Sequence, residues 1–237
     1  MNPEFSYKQL LQCAALTVAG TLAIGVHAAP VPGQGTWETT LQARDINGDG
    51  TIDAYYDTTL NITWLADANA GAGSVFDNGA STTDGNMTWA NATAWAAALN
   101  LYGVTGWRLP VMFPLSTTSS ELSSMYCSTL GNFGPCNPFT TTGPGTWGFT
   151  NTGPFLNLAS DWYWTGTPAD PGTAWVWAGD AISAYHTAEP VSAGNLAWAV
   201  HNGDVPAIPE PASGLLVLAG LGLLGFVSGR RAKAGRQ

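Results

Sequence analysis

The chain has 237 residues, with 7 Lys+Arg against 16 Asp+Glu and a formal charge of −9. Lys8 lies near the start and Arg230, Arg231, Lys233 and Arg236 crowd the last eight positions, so residues 29–207 keep Arg44 and Arg108 against fourteen acids, a formal −12. Nucleic acid is bound by clustered Lys and Arg that release counterions, so no nucleic-acid partner is expected. Eleven Trp, 29 Gly and 10% charged residues also exclude a coiled coil and a charge-rich disordered chain, and the length suits one domain plus extra segments.

Residues 1–28 read as a signal peptide: Lys8, an apolar run from Ala14 to Val26, then small residues around Val26-His27-Ala28. Signal peptidase is expected to cut after Ala28, leaving Ala29-Pro30 as the new start; a buried N-terminal helix is the alternative reading. Cys13 is not a lipoprotein cysteine, because Gln12 precedes it and the apolar run follows it.

Residues 29–44 are expected to be a Pro/Gly linker, Pro30–Gly35, and a first strand, Trp37–Arg44. The next segment, Asp45-Ile46-Asn47-Gly48-Asp49-Gly50-Thr51-Ile52-Asp53, places oxygen ligands at alternate positions with glycines where the chain must turn, as a hard cation such as calcium requires. Asp45, Asn47, Asp49 and Asp53 would supply side chains, Thr51 its carbonyl and Asp57 a further carboxylate. Tyr56 stands at loop position 12, where an EF-hand has its bidentate Glu, so a full EF-hand is not expected. An Asx-rich turn that caps its own backbone explains the same residues.

Tyr55–Leu65 alternates like a strand, Ala66–Gly85 reads as a loop, and Thr88–Leu101 is the one main helix, about 88–101, with Trp89, Trp95 and Leu99 at helical intervals among Ala92, Ala96 and Ala97. Gly103 ends it, and Trp107-Arg108-Leu109-Pro110 follows. Arg108 would either hold an anionic ligand group or act as an internal latch under the helix, with Trp107, Leu109 and Pro110 packed around it. Cys127 and Cys136 remain once Cys13 leaves with the signal, and an oxidising compartment favours a disulfide between them; a reactive thiol pair or metal site is the alternative. Closing a loop of about ten residues would stabilise by roughly 2–3 kcal/mol.

From Asp161 onward Trp162-Tyr163-Trp164, Ala174-Trp175-Val176-Trp177 and Leu196-Ala197-Trp198-Ala199-Val200 are short alternating strands, expected in a small Trp-rich antiparallel sheet. Alternation puts Trp162 with Trp164, and Trp175 with Trp177, on shared faces; these tryptophans are expected mainly in the core, with sugar stacking by a solvent-facing pair as the alternative.

Several of these elements, in order, resemble the Lcl-type C-terminal domain family: Asp57-Thr58-Thr59-Leu60 with Thr63-Trp64, Met87-Thr88-Trp89-Ala90 with Ala94, Gly106-Trp107-Arg108-Leu109-Pro110, Glu121-Leu122, Trp162-Tyr163-Trp164-Thr165-Gly166-Thr167, and Ala197-Trp198-Ala199-Val200 with Gly203-Asp204-Val205. The resemblance covers about residues 45–205. It implies an α+β, C-type-lectin-like fold related to the formylglycine-generating-enzyme fold, surface display, and glycan or matrix binding for some members. It implies no catalytic residues. Members carry a basic residue near the place of His201, so the resemblance supports no anion-binding role there.

Residues 206–237 end the chain with Pro209-Glu210-Pro211, the apolar stretch 212–227 and Ser228-Gly229-Arg230-Arg231. Sixteen residues in a helix span about 24 Å, adequate with flanking residues for a membrane helix in a core of ~30 Å. The basic tail belongs on the cytoplasmic side and the body outside. This tail resembles the PEP-CTERM sorting signal of Gram-negative bacteria. The resemblance implies that an exosortase-type enzyme cuts near the Pro-Glu-Pro and delivers the chain to the cell surface or biofilm matrix; a permanent single-span anchor is the alternative.

The sequence therefore predicts a non-enzymatic, exported protein, membrane-anchored before processing, whose lectin-like domain binds an extracellular polysaccharide or another matrix component, with calcium as a structural cofactor. A matrix protein without a specific ligand is the first alternative. A glycan hydrolase is the second: His186 and His201 could act as bases, but fourteen acids make a close pair unremarkable, and neither a Gly-x-Ser-x-Gly nor a His-Glu-x-x-His motif occurs.

Overall fold

Glycine and Asx residues cut the body into short segments, and its strands run from two to seven residues. The computed structural model describes residues 29–114, 116, 119–134, 146–180 and 184–206. In chain order they form a one-turn helix α1 (Trp37–Thr40), β1 (Leu41–Arg44), β2 (Ala54–Asp57), β3 (Ile62–Leu65), α2 (Trp89–Ala98), β4 (Trp107–Arg108), α3 (Glu121–Ser124) continued by a π-helical turn (Met125–Thr129), β5 (Trp162–Pro168), β6 (Thr173–Ala178), β7 (Tyr185–Pro190) and β8 (Val200–Asn202). The expected signal peptide, the membrane helix 212–227 and Cys136 lie outside the described residues. Among the described residues no helix is long and apolar enough to cross a membrane.

The strands form two antiparallel sheets, one with the order β1-β2-β3-β8-β4 and one with the order β5-β6-β7. The α+β class holds, with two sheets where the sequence pointed to one. The segment before β8 joins them: the Trp164 N–H donates to Leu196 O and the Leu196 N–H to Trp162 O, both at 2.9 Å, while the Leu65 N–H donates to Ala199 O at 3.1 Å. β8 then inserts between β3 and β4, so the end of the domain closes the first sheet.

An aromatic chain runs through the core from one sheet to the other. Trp64 meets Trp198 at 4.5 Å between ring centroids; Trp198 also meets Phe155 at 4.7 Å and Tyr163 at 6.4 Å. Tyr163 leads through Phe149 to Tyr126 and on to Trp177. Each such pair adds about 0.5–1.5 kcal/mol beyond the area it buries. Six of the eleven tryptophans are less than 5% exposed, which favours the core reading. Strict alternation fails at β5, because Tyr163, Trp164 and Thr165 are all fully buried: the second sheet is covered on both faces there.

Four expected boundaries are corrected. Trp37–Arg44 is not one strand but α1 followed by β1. Tyr55–Leu65 is not one strand but the β2–β3 hairpin, because Asp57 Oδ1 accepts the Thr59 and Leu60 N–H groups (2.8 and 3.2 Å) and Asn61 takes φ +54°. The main helix ends at Ala98 rather than Leu101; Asn100 Oδ1 accepts the Gly103 N–H at 2.8 Å, and Tyr102 and Gly103 are both left-handed. Pro30–Gly35 is docked rather than a free linker. Buried Asn151 accepts the Val31 N–H (2.8 Å) and donates to Gln34 O (3.2 Å) and Leu130 O (2.7 Å), and Gly35 backs onto Thr129–Gly131 with no room for a Cβ.

Candidate functional site

Arg108 is fully engaged inside the domain. Its two terminal nitrogens donate to the two carboxylate oxygens of Glu121 at 2.8 Å each, and Nη1 also reaches Leu109 O at 3.0 Å. Nε and Nη2 donate to Asn202 Oδ1 at 2.9 and 2.6 Å. Glu121 is 7% exposed and also accepts the Val111 N–H at 2.9 Å. One guanidinium thus ties β4 to β8 and to the start of α3. All five guanidinium N–H groups are taken in this way, by β8, α3 and the adjacent Leu109 carbonyl rather than by the main helix, and no part of the fork is left for an external anion. Trp107, 2% exposed, packs edge-on against His201, and the Trp89 indole donates to Thr165 O at 2.8 Å, pinning α2 to β5. Glu121 was not recognised as the partner of Arg108; the available signal was an acid directly after Ser120, at the start of a helix.

Arg44 is also taken: Nε and Nη2 meet the Asp204 carboxylate at 2.7 and 2.8 Å, and the guanidinium lies 5.4 Å from the Tyr56 ring centre. The hydrogen bond from Arg44 holds the Asp204 carboxyl below its ordinary value. Both arginines of the acidic body are therefore neutralised by carboxylates.

The loop Asp45–Asp53 is closed by its own side chains. Asp45 accepts the Gly48 and Gly50 N–H groups (2.7 and 2.8 Å), Asn47 Oδ1 the Asp49 N–H (2.9 Å), Asp49 Oδ1 the Thr51 N–H (2.7 Å), and Asp53 the Ile46 N–H (2.8 Å). The Asn47 amide donates to Asp49 Oδ2, and this hydrogen bond, with that from Thr51, lowers the Asp49 carboxyl. Among the described residues no group of three His, Cys, Asp or Glu could hold a metal ion. Asp57 is separated from the loop by the length of β2, roughly 13 Å at 3.3 Å per residue, whereas ligands of one calcium each lie about 2.3–2.6 Å from it. It is instead fully buried beneath the hairpin turn, and burial pushes its carboxyl up. Its Oδ2 and the Trp64 indole N–H are both buried without a partner in hydrogen-bond geometry, although the indole is close enough to favour the ionised form.

His186 Nε2 and Ser120 Oγ are 2.8 Å apart, a separation that suits a nucleophile and its base. Ser120 is fully buried, however, and its hydroxyl accepts the Ser123 N–H at 3.0 Å while Ser123 Oγ accepts the Ser120 N–H at 2.7 Å. This reciprocal cap starts α3 and shields the hydroxyl from any substrate.

A cleft of about 310 Å³ opens elsewhere, at the start of α2. Asn78, Gly79, Asn86, Thr88, Ser192 and Gly194 line it. Its walls are fixed by the Gly79 N–H donating to Asn86 O at 2.7 Å, by paired hydrogen bonds between Met87 and Asn195 at 2.9 and 3.1 Å, and by buried Asp77, whose Oδ2 accepts the Gly73 and Gly85 N–H groups. The sequence reading missed these residues, since Asn, Gly and Ser in two separate loops carry no spacing signal.

Comparison with known families now bears on these observations. The family model of the Lcl C-terminal domain matches residues 53–201, well over half of the chain. The chain belongs to the Lcl C-terminal domain family. In this Lcl domain the match begins at the last residue of the acidic loop and ends at His201 in β8, so it leaves out β1 but takes in β2 to β7, the Arg108–Glu121 pair and the cleft. The PEP-CTERM protein-sorting motif matches residues 207–232, including Pro209, Glu210, Pro211, Arg230 and Arg231, which lie outside the described residues. That motif implies an exported chain, anchored through its C-terminal region until an exosortase-type enzyme processes it. No curated protein matches the chain, and no solved structure does.

Proposed function

We propose that this Lcl-domain protein is a non-catalytic cell-surface or matrix component that binds a glycan through a C-type-lectin-like module. The observation that carries the reading is the direct succession of an Lcl domain and a sorting motif, 53–201 then 207–232. The sorting motif accounts for delivery, and a domain with both arginines internally paired and the Ser120 hydroxyl buried in a helix cap suits binding better than catalysis. In this reading residues 1–28 are removed by signal peptidase. The Cys127–Cys136 disulfide belongs to the same reading: Cys127 is 3% exposed, and it and Cys136 are the two cysteines expected in the exported body. The loop Asp45–Asp53 is held by its own side-chain hydrogen bonds, which supports the Asx-turn reading over a calcium loop.

The test is localisation with and without the sorting element. The full chain should reach the surface or medium of a host that has an exosortase-type enzyme, and replacing Pro209-Glu210-Pro211 with alanines should hold it in the inner membrane. Equal release of both forms would overturn the surface assignment.

A further inference from the structure

The cleft at the start of α2 presents amide and hydroxyl groups and no ionisable side chain: Asn78, Asn86, Thr88 and Ser192 stand around a floor bared by Gly79 and Gly194. Asn78 and Ser192 are exposed, so the Ser192 hydroxyl is open to an incoming molecule, as is the remaining capacity of the Asn78 amide, whose Nδ2 donates one hydrogen bond to Thr88 Oγ1 at 3.5 Å. Asn78 Oδ1 accepts the Thr88 N–H at 3.0 Å, which fixes its amide at the rim. Gly79 is obligatory there, because a Cβ would come to 2.5 Å from Asn86 Cβ.

Three ligand classes can be weighed against this lining. An anion, such as a sulfated or uronate sugar, would meet no cation, since the Arg44 and Arg108 side chains are each held by a carboxylate and the body is formally −12. An apolar ligand would strip water from amides and hydroxyls and return no hydrogen bond, which is costly. A neutral polyol offers hydroxyls that both donate and accept, and Asn, Ser and Thr side chains can answer each of them in either role. The volume falls at the lower end of the roughly 300–1,000 Å³ range of small-ligand sites, the scale of one or two sugar residues. The fixed walls lower the ordering cost of binding.

We infer that this cleft binds an uncharged sugar unit, recognised through the amides of Asn78 and Asn86 and the hydroxyls of Thr88 and Ser192. The inference rests on the glycan-binding reading above and names its site and ligand class. A Cβ at Gly194 would sit 3.6 Å from Gly79 Cα and Asn86 Cβ, an ordinary contact directed at the cleft floor, so a larger side chain there fills the cleft without disturbing the backbone.

Saturation-transfer NMR on the full chain in a sugar-free detergent tests this, with cellobiose, maltose and N,N′-diacetylchitobiose as neutral probes and heparin as the anionic one. The expected result is transfer to at least one neutral disaccharide, weakened about tenfold or more in Gly194→Leu and by roughly three- to tenfold in Ser192→Ala, the loss of one hydrogen bond. The near-UV circular dichroism of the tryptophans should be unchanged; if Gly194→Leu alters it, Ser192→Ala decides alone. Neutral-sugar binding indifferent to the variants would place the site elsewhere and overturn the inference while leaving the glycan-binding reading standing. Heparin bound in preference to every neutral probe would overturn the uncharged class, and transfer to no probe would overturn both.

Discussion

Removing the Arg108 guanidinium leaves a carboxylate stranded. Glu121 is 7% exposed, and Arg108 supplies both charged hydrogen bonds to it at 2.8 Å; the Val111 N–H is the neutral partner that would remain. Breaking a buried pair by deleting one partner costs about 3–5 kcal/mol. The Arg108 side chain is 28% exposed, so water entering on its side places the loss toward the lower figure. In Arg108→Ala the Asn202 amide also loses its donors, and with it one of the ties between β4 and β8. For a domain of this length 1 kcal/mol moves Tm by about 2–4 °C, so Arg108→Ala should lower it by roughly 6–15 °C, read by tryptophan fluorescence during heating. Adding Glu121→Gln removes the stranded charge while keeping an oxygen for the Val111 N–H, so the double variant should recover at least half of the loss. A loss below about 1 kcal/mol in the single variant, the level of an exposed pair, or a double variant less stable than the single one, would refute the buried-latch reasoning.

Two further outcomes follow from the acids. Burial raises the Asp57 carboxyl, so the folded chain keeps a proton that the unfolded chain releases near the ordinary value of 3.8. The Asp57 contribution is complete below that value and is lost as pH rises through the raised folded value, with a slope of up to about 1.4 kcal/mol per pH unit. Asp49, Asp84 and Asp204 are lowered and act oppositely, losing stability as pH falls below 3.8. Urea unfolding across pH should therefore give different slopes for wild type and Asp57→Asn above pH 3.8, and parallel profiles would count against a raised Asp57. For the loop Asp45–Asp53, calorimetric titration with calcium should give no heat and no rise in Tm; heat abolished by Asp45→Asn would show that the self-capped turn is a cation site after all.

Local features of the fold were legible and distant ones were not. Six alanines in Trp89–Ala98 and the short aromatic runs around Trp164 and Trp177 specify a helix and strands from neighbouring residues alone. The Trp-Arg-Leu-Pro element was readable as a latch because Arg108 is one of two bases in the body, but its partner Glu121 lies in a different segment with no periodic tie to it. The β2–β3 break was hidden because its signal is a single Asx turn at Asp57 and a left-handed Asn61 inside a strand-like run. The place of β8 between β3 and β4 depends on pairing His201 with Thr63 and Trp107 across more than ninety residues, which no local pattern encodes. The cleft is hardest to see, since its polar groups are ordinary loop residues until Met87 and Asn195 bring the two loops together.

The intact mass of the chain recovered from the surface or medium of an exosortase-bearing host bears on both ends at once. The expected species begins at Ala29 and lacks the apolar stretch 212–227. A surface species that retains Leu215–Phe226 would contradict exosortase-type processing and leave a permanently anchored protein in its place.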